Sequence, residues 1–189
     1  MKDTEYWDSR YNKGGTSGIG SRGDHAIWKA HYINDVIKAF PISSIVELGH
    51  GDGYMLNLYE GYKSYDGYDI SSVARESVRE AFKSNHRVTI HNSISSLSKR
   101  DICISIDVLY HITDTEQWKL YISNLFRLGN YVLIYSQDNN HKGADHVYNR
   151  VFTEWIETNI DSHALIEVGD GYHDEVKFYL YKEKYNIVK

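Results

Sequence analysis

The sequence predicts an α/β fold: an open, mostly parallel sheet of seven strands, helices on both faces, and a C-terminal antiparallel hairpin. Three observations predict it. From Ser43 onward, short apolar β-branched runs alternate with amphipathic stretches of helical period. The first run ends in a glycine-rich turn that opens the next segment, as in nucleotide-binding β-α-β units. The last two runs, Ala164 to Val168 and Glu175 to Tyr181, are joined by a short Gly-Asp-Gly-Tyr-His loop, too short for a crossover.

In chain order, Thr4 to Tyr11 reads as a short helical turn carrying Tyr6, Trp7 and Tyr11. Gly14 to Gly23 is a glycine, serine and threonine stretch whose composition predicts a mobile loop, either a flexible connector or a lid suited to close approach to polar groups. Asp24 to Phe40 is a helix with Asp24 as N-cap and Ile27, Ala30, Ile33, Val36, Ile37 and Phe40 inward. Pro41, the only proline, precedes the first strand.

The run Ser-Ser-Ile-Val-Glu-Leu-Gly-His-Gly-Asp-Gly, Ser43 to Gly53, is a strand followed by a tight turn. Its glycines Gly49, Gly51 and Gly53 permit positive φ and let a ligand approach without meeting a Cβ. Tyr54 to Tyr62 reads as the first crossover helix. Tyr65 to Ile70 is the second strand and ends in Asp69, roughly twenty residues after the first glycine, where an acid meets a ribose in nucleotide-binding units. Ser71 or Ser72 caps a helix running to about Asn85, and Arg87 to Ile90 is the third strand.

Asp101 to Tyr110 holds a strongly buried fourth strand, and Thr113 caps a helix to about Leu128 with Trp118, Tyr121, Ile122 and Leu125 inward. Asn130 to Ser136 is the fifth strand, Gln137 to Asp145 a polar loop, and His146 to Ile156 a helix packing Phe152, Trp155 and Ile156. Ligands of such sheets bind beyond the carboxyl ends of the strands, so these connections border the site.

The 189 residues suffice for one domain with a single core. A net charge of −5 gives no overall attraction to nucleic acid, which is disfavoured as a partner. No run approaches the roughly 20 apolar residues that span a membrane, and the Met1-Lys-Asp-Thr-Glu start has no apolar signal segment, so a cytoplasmic protein is expected. The single cysteine, Cys103, lies in an apolar run and reads as core. No compact histidine or cysteine spacing indicates a metal.

The string Glu-Leu-Gly-His-Gly-Asp-Gly resembles motif I of the class I S-adenosylmethionine-dependent methyltransferases, which have a Rossmann-like sheet. His50 departs from the family, which more often has Cys or Ser there. The resemblance implies that Glu47 lies near the methionine part of S-adenosyl-L-methionine, that Gly49, His50, Gly51 and Gly53 line it, and that Asp69 with Ile70 meets the ribose. It places the adenine near Asn92 and Ser93. Asp107-Val-Leu-Tyr-His111 resembles an element bordering cofactor and acceptor, implicating Asp107 and Tyr110.

The segments Tyr6 to Tyr11 and Gly14 to Ser21 are similar to those of a subgroup often found among genes for surface polysaccharides and other small-molecule products. They imply a lid, residues 1–40, over a core of residues 41–189, with Thr16, Ser17, Gly18 and Ser21 closing over the ligand. A similar His-Val-x-x-Arg-x-Phe-x-x-Trp element points to His146 and Arg150.

The predicted reaction is methyl transfer to a small polar acceptor, a hydroxyl of a sugar, phosphosugar or glycan precursor. Of ten histidines, His146, His111 and His141, in that order, are candidates for the base that removes the hydroxyl proton. Arg22 and Arg150 are candidates for an acceptor carboxylate or phosphate, or equally for surface ion pairs. A nicotinamide-dependent oxidoreductase and a non-catalytic binding module are the alternatives; the Gly-x-Gly-x-Gly spacing and the hairpin argue against the first.

Overall fold

The computed structural model describes residues 3–184. Its strands are β1 (Ser44–Leu48), β2 (Ser64–Tyr68), β3 (Val88–Ile90), β4 (Arg100–Ile106), β5 (Gly129–Gln137), β6 (His163–Gly169) and β7 (Val176–Glu183). Its helices are α1 (Asp3–Asn12), α2 (Gly23–Ala39), α3 (Ser72–Ala81), α4 (Thr115–Leu128) and α5 (Phe152–Asn159). The strands form one seven-stranded sheet in the order β3-β2-β1-β4-β5-β7-β6. The first five are parallel, and β7 runs antiparallel between β5 and β6. This is the predicted Rossmann-like architecture with its terminal hairpin.

Strand alternation sends side chains into two cores. Ile45, Ile102, Ile104, Leu133 and Phe178 pack against α2, whereas Val46, Cys103, Val132 and Ile134 pack against α4 and α5. Cys103 is fully buried, as its apolar run predicts. The chain builds β1, β2 and β3 outward on one side, then returns to lay β4 on the other side of β1. A crevice therefore opens between the carboxyl ends of β1 and β4. Among the described residues, no helix is long and apolar enough to cross a membrane.

Several elements differ from expectation. The crossover helix over Tyr54 to Tyr62 is only a short 3₁₀ turn, Met55–Leu58. Asn34 of α2 donates to the Leu58 carbonyl and accepts from the Glu60 amide, replacing helical hydrogen bonds as the chain turns inward. Ile27 is exposed, because the buried stripe of α2 runs through Ala26, Ala30, Ile33 and Ile37. Arg22, not Asp24, holds the N-cap position of α2. Ser71 caps α3 as expected, but that helix ends at Ala81, short of Asn85.

Asp114 rather than Thr113 caps α4, accepting from the Gln117 amide at 2.8 Å, while Thr113 donates to Asp3. Residues 146–151 are not helical. The last helix begins at Phe152, because Asp138 accepts from the amides of Phe152 and Thr153 and from the Thr153 hydroxyl.

Phe178 of β7 is fully buried and stacks on Tyr32 of α2 with ring centroids 4.0 Å apart. It also contacts Tyr135 of β5 at 4.5 Å, so it fixes α2 to the sheet. Phe178→Ala is expected to lower the unfolding free energy by about 3–5 kcal/mol, read from urea midpoints at constant slope.

Candidate active site

The turn after β1 is shaped by what packs on it. Gly49 has φ +85°, and a Cβ there would lie 2.5 Å from Val108 Cγ2. Gly51 has φ +57°, and a Cβ there would lie 2.2 Å from Ser17 Oγ. The Asp69 carboxylate, just past β2, accepts from the Gly51 amide at 2.9 Å and from the Ser71 amide at 2.8 Å, one on each oxygen. Each oxygen retains acceptor capacity, and Asp69 lines the cavity above.

The His50 ring is buried over Gly67 of β2. Its Nδ1 lies 2.8 Å from the Gly51 carbonyl, an acceptor only, so Nδ1 carries the proton. Nε2 is buried without a partner. Burial lowers the pKa of this ring and Asp69 opposes it; the ring is therefore neutral at pH 7 and Nε2 is an unused acceptor.

Glu47, near the end of β1, accepts from the hydroxyls of Tyr59 at 3.1 Å and Tyr65 at 2.7 Å. Burial pushes its carboxyl up to about 7, against the two tyrosine bonds and the charge of Lys29. This acid changes protonation near neutrality.

The glycine-rich loop closes on the turn. The Ser17 amide donates to Asp52 at 2.8 Å, the Asp52 amide donates to Ser17 Oγ at 3.0 Å, and the Arg22 guanidinium grips Asp52 at 2.6 and 3.1 Å. Helix α1 lies across the opening, tied by Asp3 to Thr113 and by Asp8 to Ser71. Together they roof a cavity of about 870 Å³, toward the upper end of the roughly 300–1,000 Å³ of ligand sites.

Of the residues predicted from sequence, Glu47, Gly49, His50, Gly51, Asp69 and Ile70 form one part of the wall. Ser17, Ser21, Ser93, Asp107 and His111 also line it. The others lie elsewhere. Gly53 backs onto Val78 of α3, and Asn92 accepts from Arg79. Thr16 accepts from Arg10 through its carbonyl, and Gly18 lies beside it in the loop.

Arg22 is engaged by Asp52 instead of facing an acceptor. Arg150 donates to the carbonyls of Ile112 and Thr113 and stacks over Tyr148, so its charge too is used within the protein. Tyr110 donates to Asp107. His141 is exposed in its loop, away from the cavity.

His146 stacks between Tyr6 at 4.5 Å and His111 at 5.5 Å and does not line the cavity. His111 does. Its Nδ1 lies 3.0 Å from the His146 carbonyl, which fixes the proton on Nδ1 and leaves Nε2 with a lone pair and no partner among the described residues. Burial lowers its pKa, so the ring is neutral at pH 7.

Sequence reading missed Asp3, Asp52 and Lys29. Asp52 stands inside the glycine motif, but its role depends on a loop about 35 residues earlier, which no local pattern reveals.

No family model and no curated protein matches the chain. Solved structures share its fold. The N-methyltransferase NodS from Bradyrhizobium japonicum WM9, in complex with S-adenosyl-L-homocysteine, superposes with a TM-score of 0.75 at 13% identity, covering 98% of this chain and 100% of that one. The magnesium protoporphyrin IX methyltransferase ChlM from Synechocystis PCC 6803, with bound S-adenosyl-L-homocysteine, gives 0.72 at 14% identity, with coverage of 96% and 98%. An S-adenosylmethionine-dependent methyltransferase from Clostridium acetobutylicum ATCC 824 gives 0.65 at 15%, with 93% and 99%. At these identities the likeness is one of fold.

An acid whose folded pKa lies above its unfolded value binds its proton more tightly when folded, so its contribution is present at low pH and lost as pH rises. For Glu47, moved from 4.5 to about 7, wild-type stability is expected to fall by on the order of 3 kcal/mol between about pH 4.5 and 8 from this group alone. Urea denaturation across that range should show the slope in wild type and its loss in Glu47→Gln.

Proposed function

We propose that this chain is a cytoplasmic S-adenosyl-L-methionine-dependent methyltransferase acting on a small polar acceptor, a hydroxyl of a sugar or glycan precursor. One observation carries the reading: Glu47, the Gly49–Gly51 turn and Asp69 converge on one wall of the cavity at the β1–β4 crevice. Bound cofactor in the solved structures of this fold supports it.

The residues fit the cofactor. Asp69, with free acceptor capacity on both oxygens, would hold ribose hydroxyls. The unpartnered Nε2 of His50 offers one more acceptor in the same wall. Glu47 and Asp107 would face the cationic methionine end, and Ser93 and Ile94 the adenine. When bound, the cofactor supplies a methyl group already activated on a sulfonium.

The chain's own residues then align the acceptor, exclude water and move one proton. His111 Nε2, neutral and unpartnered, takes the proton of the acceptor hydroxyl, and the His146 carbonyl stabilises the resulting imidazolium through Nδ1–H. The α1 roof and the Ser17–Asp52 contact keep water out. Trp7 offers an aromatic face, and Thr4, Gln117 and Asn124 offer hydroxyl and amide groups, a combination suited to a polyhydroxyl ring.

Calorimetric titration with S-adenosylmethionine, S-adenosylhomocysteine and NAD in parallel tests the reading. Micromolar binding of the first two and none of NAD is expected; binding of NAD alone would overturn it. Asp69→Ala should weaken S-adenosylhomocysteine binding by about 1–3 kcal/mol. His111→Gln should leave that affinity unchanged and slow transfer to a sugar acceptor by roughly 10²–10⁴-fold; undiminished turnover would remove His111 from the mechanism.

A further inference from the structure

Lys29 of α2 is a lysine with only 1% of its surface exposed. Lysine is almost never fully buried unless paired, and a leucine or methionine would fill the same face of α2 without desolvating a charge. Its ammonium pairs with Asp107 Oδ2 and lies over the Tyr135 ring, 5.1 Å from the centroid. A buried ion pair is weak evidence for stability, so its presence needs another account.

The partner is unusual as well. Asp107, the residue after β4, is the sole non-glycine at positive φ among the described residues, at +59°. Its amide donates to the Tyr135 carbonyl at 3.0 Å, and its Oδ1 accepts from Tyr110 at 3.0 Å. Such a conformation is unfavourable for a residue with a side chain and persists only where the surroundings hold it. The result is a carboxylate anchored from behind that lines the cavity, with the lid directly on it: a Cβ at Gly20 would lie 3.5 Å from Asp107 Oδ2 and 3.9 Å from Lys29 Nζ.

We propose that Lys29 is a positioning residue, whose buried ammonium holds the strained Asp107 carboxylate at the cavity wall and thereby sets the affinity for the adenosyl cofactor. The proposal rests on the methyltransferase reading above. Lys29 touches no ligand itself; it acts through Asp107, and it joins α2, the lid and the end of β4 at one point.

The test is calorimetry of S-adenosylhomocysteine binding, with melting temperature recorded in parallel, on the full chain and on Lys29→Met, Lys29→Arg, Asp107→Asn and the Lys29→Met/Asp107→Asn double variant. Lys29→Met and Asp107→Asn should each weaken binding at least tenfold, and the double variant should bind no more weakly than Asp107→Asn. Lys29→Arg, which restores a cation, should stay within about threefold of wild type.

Wild-type affinity in Lys29→Met, whatever its melting temperature, would overturn the proposal, because a purely structural lysine moves stability alone. Losses that multiply in the double variant, or wild-type affinity in Asp107→Asn, would also overturn it; the latter stands as a test even if Lys29→Met does not fold. Absence of binding by the wild-type chain would instead overturn the methyltransferase reading itself, and so separates the two failures.

Discussion

The pair of backbone amides that converge on Asp69 is the constraint on which the site depends. Gly51 belongs to the turn after β1 and Ser71 to the start of α3, and one carboxylate binds both. The turn after one strand is thereby locked to the end of its neighbour. A carboxylate accepting two amide hydrogen bonds is charge-assisted on both sides. Because these bonds lie at the carboxyl ends of parallel strands, the acid faces the crevice and stays available to a ligand.

The roof above that floor is held by polar contacts and by a few ring contacts. Helix α1 has no fully buried residue; it is anchored by Asp3 on Thr113 and Asp8 on Ser71, with the Tyr6 and Trp7 rings set against His146 and His111. The loop after it is fixed through Asp52. Elements with few buried apolar contacts open at lower free energy than the core. A roof made this way can open to admit a ligand while the two apolar cores on either side of the sheet stay intact.

The sheet was legible because each strand carries its own local signal. Ile45 and Val46, or Ile102 and Cys103, are apolar on both faces, as a parallel strand buried on both sides must be. The convergence of the glycine turn and Asp69 was legible for a related reason: they follow two consecutive, paired strands. What stayed hidden was set by distant partners. Tyr54 to Tyr62 has helix-compatible residues, but Asn34 and the buried Glu47 draw that segment into a turn. His146 to Val151 is irregular because Asp138 starts the helix later. Arg22 and Arg150 read equally as anion ligands or ion-pair residues; Arg22 pairs with Asp52, and two backbone carbonyls take Arg150.

Burial acts in opposite senses on the acids and bases of the cavity, and this sets its charge. It raises Glu47 toward neutrality and lowers His50 and His111, so all three favour their uncharged forms. Two carboxylates of the same wall are held by different donors: Asp69 by two backbone amides, and Asp107 by a buried ammonium and a tyrosine hydroxyl. The wall thus sets donor-held carboxylates at some points and a neutral imidazole at another. A cation would be attracted to the former, while a hydroxyl proton could be drawn off at the latter without either group being compromised by the other. Under the proposed function, separating the two roles by local environment, rather than by residue type, would let one cavity hold a positively charged donor and deprotonate a neutral acceptor at the same pH.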